Sequence, residues 1–85
     1  MDIKGTITEF ILNNFLKGYQ VKTFEDDDSF LENEIIDSVG VLELVAFLEV
    51  TFGFRVEDEE LIPENLDSVN KLVVYVRSKL TSSNS

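Results

Sequence analysis

The chain has no histidine, no cysteine and no tryptophan, and only one proline and one methionine among its 85 residues. Each absence excludes something. Without cysteine there is no disulfide, no thiolate metal site and no dependence of folding on redox state. Without histidine the chain lacks the side chain that most often titrates near neutral pH, on which acid–base catalysis usually rests. A serine nucleophile would have only carboxylates or a lysine to activate it, and no second motif supplies an oxyanion hole. A pair of carboxylates for glycoside hydrolysis would need a cleft that a domain of this size can scarcely build. The protein is therefore not expected to be an enzyme. No charged start followed by an apolar stretch reads as a signal peptide, and no run approaches the roughly 20 apolar residues of a membrane span. A cytoplasmic protein without membrane insertion is expected.

Positive charge is also scarce. Seven Lys and Arg face seventeen Asp and Glu, a net charge of −10. The imbalance is local: from Glu25 to Asp67 there are fifteen acids and one base, Arg55. Residues 1–24 carry a net charge of +1 and residues 68–85 a net charge of +3. Such a field repels nucleic acid and steers basic protein surfaces inward. The acidic run could suggest calcium through Asp26, Asp28 and Glu32. Counted from Asp26, however, the position that needs glycine is Leu31 and the position that needs glutamate is Asp37. No metal site is expected.

What is present is enough apolar material for a core, 44% of residues with seven Phe, in one domain over residues 1–80 followed by a frayed polar tail over 81–85. Ile3, Ile7, Phe10, Ile11 and Phe15 share a face at helical spacing, predicting a first helix from about Ile3 to Lys17. Thr6 with Glu9 is a possible capping box for its start, and Gly18 fits its end. A loop over 19–37 follows, pinned by Phe30, Leu31, Ile35 and Ile36. A loop this long in a small domain tends to be functional. The second helix is predicted over Ser38–Phe52, ended by Gly53, with apolar residues around much of its circumference. Phe54-Arg55-Val56 has strand character but no partner strand. A short third helix is expected over Asp58–Ile62, stopped near Pro63. Asp67 or Ser68 should cap a last helix whose inner face is Val69, Leu72, Val73, Val76 and Leu80. The fold class is all-α: a small four-helix bundle, three longer helices and one short, with a long loop between the first two.

One serine stands where loop becomes helix. In Asp37-Ser38-Val39-Gly40, either Asp37 or Ser38 would serve as an ordinary helix cap. A helix start also seats an attached phosphate well, because free N–H groups and the dipole favour an anion. Gly40 leaves room beside the serine for a bulky group or a docking surface.

Asp37-Ser38-Val39-Gly40, followed by Glu43-Leu44, resembles the phosphopantetheine attachment motif of acyl carrier proteins. The lead-in from Ser29 to Ile36 is similar too, and the likeness covers nearly the whole chain. The resemblance implies a 4'-phosphopantetheine arm from coenzyme A, joined to Ser38 by a phosphopantetheinyl transferase, with Asp37, Val39 and Gly40 around the attachment point. The arm's thiol would carry cargo as a thioester, which suits a chain without cysteine. It further implies that Asp37, Glu43 and Glu49 face basic surfaces of acyl- or aminoacyl-transferring enzymes, with Val39 and Leu42 as apolar contacts. Phe30, Leu48, Val56 and Leu61 match positions that line an acyl pocket. A monomer is expected.

The chain departs from the usual pattern at Gly40 and Val50, where many carriers of fatty-acid synthesis have acids, and in a longer stretch from Ile62 to Ser68. A free-standing carrier in a specialised pathway is the expectation, with acyl cargo favoured over aminoacyl or D-alanyl cargo. An unmodified acidic adaptor is the reading from another class.

Overall fold

The computed structural model describes residues 2–15 and 25–82. Helix α1 spans Ile3–Asn14, α2 Ser38–Phe52, α3 Pro63–Leu66 and α4 Val69–Ser82. A single 3-10 turn, Asp58–Glu60, precedes α3. The chain is an all-α bundle, with no strand among the described residues.

Helix α1 starts before the predicted box. Asp2 is its cap, its carboxylate accepting the Gly5 N–H at 3.0 Å, so Thr6 and Glu9 lie inside the helix. An aspartate one residue ahead of the apolar pattern outcompetes a threonine within it. The predicted end at Lys17 and Gly18 lies outside the described residues. Ile7 and Ile11 are fully buried, as their spacing demands.

The loop before α2 is pinned to the start of α4 rather than simply draped over the core. The Asp26 carbonyl accepts the Asn70 N–H at 3.0 Å, and the Asp67 carbonyl accepts the Phe30 N–H at 2.9 Å. The Asp67 carboxylate takes the Leu31 N–H at 3.0 Å and the Ser29 hydroxyl. Phe30 and Ile36 are buried as expected, but Leu31 is exposed.

After Gly53, which caps α2 in the left-handed conformation, the chain runs extended to a capping box. Glu57 and Glu60 satisfy each other's backbone N–H groups there. The predicted single helix over Asp58–Ile62 is instead the 3-10 turn. Pro63 does not stop a helix; it opens α3 at the first position, where its missing N–H costs nothing. Ser68 is buried and caps α4, its hydroxyl accepting the Lys71 N–H at 3.1 Å. Helix α4 continues through Thr81 to Ser82, and residues 83–85 lie outside the described part.

Helix α4 is the spine against which α1, α2 and α3 all pack. Val69, Leu72 and Val76 are fully buried in it. Tyr75, absent from the predicted inner face, is buried too. Its hydroxyl donates to Glu60 Oε1 at 3.0 Å, and Lys79 Nζ lies 2.9 Å from the same oxygen. Burial and the neighbouring Glu60 push the Tyr75 pKa well up, keeping it a donor. Leu44, Leu48 and Phe52 of α2 complete the core.

Candidate functional site

Ser38 is the first residue of α2 and is exposed. It is not the cap: Asp37 is, with its Oδ1 accepting the Gly40 N–H at 2.6 Å. This division of labour leaves the Ser38 hydroxyl without a hydrogen-bond partner among the described residues. The Ser38 and Val39 N–H groups likewise precede the first backbone bond of the helix, which runs from Val41 N–H to the Asp37 carbonyl at 3.0 Å. An uncommitted hydroxyl thus sits beside uncommitted donors at the positive end of a helix dipole.

Gly40 does not open space beside the serine. It is buried, in phase with Leu44 and Leu48 on the inner stripe of α2. A Cβ there would lie 2.9 Å from Phe15 Cε1 and 3.0 Å from Ile36 Cγ2. The glycine lets α1 and the loop approach α2 closely.

The space beside Ser38 is a cavity of about 210 Å³. Ser38 and Val41 form its α2 wall, and Phe30 and Leu31 its loop wall. Leu61, Ile62, Pro63, Leu66 and Asp67 close the other side. Of the four residues assigned to a pocket from the sequence, Phe30 and Leu61 are brought together here. Leu48 is fully buried in the core and Val56 packs half-buried against it; neither lines the cavity. The stretch from Ile62 to Ser68, visible in the sequence only as extra length, supplies most of the far wall. Asp67, the charged member of the lining, was read from the sequence only as a possible cap.

The outer face of α2 carries a stripe. Val39, Leu42 and Val50 are 68%, 62% and 85% exposed, and Glu43 is exposed among them. Glu49 is half-buried and engaged within the fold, where its Oε2 accepts the Val56 N–H at 2.9 Å. Among the described residues no group of three or more carboxylates is placed to hold a metal ion, and no helix is long and apolar enough to cross a membrane.

No family model matches the chain. Individual proteins do. The D-alanyl carrier protein of Leuconostoc mesenteroides is 36% identical over 78 residues, covering 92% of this chain and 96% of that protein. The D-alanyl carrier protein of Streptococcus sanguinis is 34% identical over 73 residues, covering 86% and 89%. That of Streptococcus thermophilus is 33% identical over the same length.

Proposed function

The chain belongs to the acyl carrier protein family of phosphopantetheine-binding carrier proteins, and from this we propose that it is an aminoacyl carrier of the D-alanyl kind, bearing its arm on Ser38. The observation that carries the proposal is Ser38 itself: an exposed hydroxyl with no partner among the described residues, at a helix start whose cap is supplied by its neighbour. These features suit a phosphodiester. The hydroxyl is free to react, and the Ser38 and Val39 N–H groups are free to meet the phosphate. Attachment forms a bond from the Ser38 oxygen to phosphorus and breaks the pyrophosphate link of coenzyme A, releasing adenosine 3',5'-bisphosphate. Base and metal belong to the phosphopantetheinyl transferase. The arm supplies the thiol on which cargo rides as a thioester.

The acyl cargo favoured from sequence gives way to D-alanine here because the similar proteins are named for that cargo. An acyl carrier is the second reading, favoured by the apolar cavity at the foot of Ser38. In either case the chain is acted upon by enzymes, works as a monomer in the cytoplasm, and meets partners whose docking surfaces are basic with an apolar element for Val39 and Leu42. Phe30 and Leu61 are the pocket residues kept in the proposal. Asp37 and Gly40 serve Ser38 from behind, by capping and by close packing.

The test is intact mass after incubation with coenzyme A, magnesium and a broad-specificity transferase. One phosphopantetheine addition is expected, lost in Ser38→Ala. The holo protein is then offered D-alanine with ATP and a D-alanine-activating ligase, and separately a medium-chain acyl group with an acyl-activating ligase. Loading with D-alanine alone supports the first reading, and loading with the acyl chain alone the second. No addition to Ser38 would leave the unmodified adaptor.

A further inference from the structure

Among the described residues that line it, the cavity at Ser38 is apolar apart from two polar members. One is Ser38. The other is Asp67, half-buried, with its carboxylate aligned by the Ser29 hydroxyl and the Leu31 N–H. Both donors are neutral. Among the described residues the ion pairs join Lys4 to Asp26 and Lys79 to Glu60, so no cation pairs with Asp67.

A half-buried carboxylate oriented by two neutral donors keeps its full negative charge beside the apolar walls, and a cation that reaches it gains a charge-assisted hydrogen bond. We infer that Asp67 receives the free α-ammonium group of an aminoacyl thioester when the arm on Ser38 folds back over the cavity, making it a specificity-determining residue for charged over uncharged cargo. The inference rests on the aminoacyl reading above and deepens it. A D-alanyl thioester has an ammonium one carbon from its carbonyl and a single methyl group. The ammonium meets Asp67 in a charge-assisted hydrogen bond, and the methyl meets the apolar walls formed by Leu31, Leu61 and Ile62. A plain acyl chain in the same place would strip water from Asp67 and give nothing in return, which selects against it.

The experiment compares two cargoes on the full holo chain: D-alanyl and propionyl thioesters, alike in size and differing in the ammonium. Methyl carbon–proton spectra report on Leu31, Leu61 and Ile62. The D-alanyl form should shift these signals away from their positions in the unloaded holo protein, and the propionyl form should leave them there. In Asp67→Asn, which keeps an acceptor for Leu31 and a partner for Ser29, the D-alanyl shifts should vanish while circular dichroism shows unchanged helix. Equal shifts with both cargoes, or D-alanyl shifts that survive in a folded Asp67→Asn, overturn the inference. The wild-type comparison decides alone if that variant does not fold. Failure of Ser38 to take the arm is a different result, seen earlier by mass; it removes the carrier reading and this inference with it.

Discussion

Two adjacent residues, Asp37 and Ser38, are each good helix caps, and the structure separates their roles. Asp37 takes the Gly40 N–H, so removing the Ser38 hydroxyl removes no bond among the described residues. Ser38→Ala should change unfolding free energy by no more than about 0.5 kcal/mol, whereas Asp37→Ala should cost about 1 kcal/mol. Urea denaturation of both variants checks this; equal losses would mean that the caps are shared. Gly40 is constrained differently. Alanine would gain roughly 0.5–1 kcal/mol of helix propensity. It would also drive a methyl to within 2.9 Å of Phe15 and 3.0 Å of Ile36, an overpacking that costs about 1–3 kcal/mol. Gly40→Ala should therefore be destabilised by about 1 kcal/mol, and a more stable variant would show that Phe15 yields easily. Motif and periodicity made the position of Ser38 at the start of α2 legible in the sequence. They could not make Phe15 legible as a neighbour of Gly40, because it approaches from the end of α1, 25 residues away in sequence.

At the scale of elements, the long helices were legible because each buries one periodic stripe: Ile7 and Ile11 in α1, Leu44 and Leu48 in α2, Leu72 and Val76 in α4. The short elements were not, because they are held by contacts from outside themselves. The 3-10 turn and α3 depend on Glu60. Its carboxylate accepts from the Glu57 N–H, the Tyr75 hydroxyl and Lys79, and its carbonyl accepts from the Asn65 side chain at 3.0 Å. The Glu57 N–H first of all, then Lys79 and Tyr75, hold the Glu60 carboxyl below the ordinary value of 4.5. A carboxylate depressed on folding contributes stability that is present above its ordinary value and lost as pH falls through its folded value. Wild-type melting temperature should therefore fall more steeply below about pH 4.5 than that of Glu60→Gln. Parallel pH profiles for the two proteins would mean that Glu60 does not couple folding to pH. The same far wall of the Ser38 cavity hangs on this anchor, so Glu60→Ala should loosen Leu61 and Ile62 before it unfolds the bundle.

The whole molecule presents charge and apolar surface in different places. Fifteen acids crowd residues 25–67, so the negative field surrounds Ser38 from the loop, from α2 and from the turn beyond it. On α2 itself the outer face is mainly apolar, with Val39, Leu42 and Val50 exposed. Glu49, expected from the sequence to face partners, is half-buried and its carboxylate accepts the Val56 N–H. Glu43 is the acid of α2 left exposed beside that stripe. The two kinds of surface act at different stages of an encounter. Long-range charge sets how often a basic partner arrives, and is screened over about 10 Å at 0.1 M salt. Apolar contact sets how long the partner stays. Stopped-flow binding to the phosphopantetheinyl transferase should therefore show an association rate that falls about tenfold or more between 0.05 and 0.5 M salt, with a nearly constant dissociation rate. Leu42→Ala should do the reverse, raising dissociation with little change in association, because a truncated exposed side chain leaves the field untouched. Glu43→Gln should fall between the two, lowering association modestly through the loss of one charge among many. An association rate indifferent to salt would mean that the field around Ser38 serves solubility alone. A Leu42→Ala variant that dissociates like the wild type would mean that the partner does not rest on the α2 stripe.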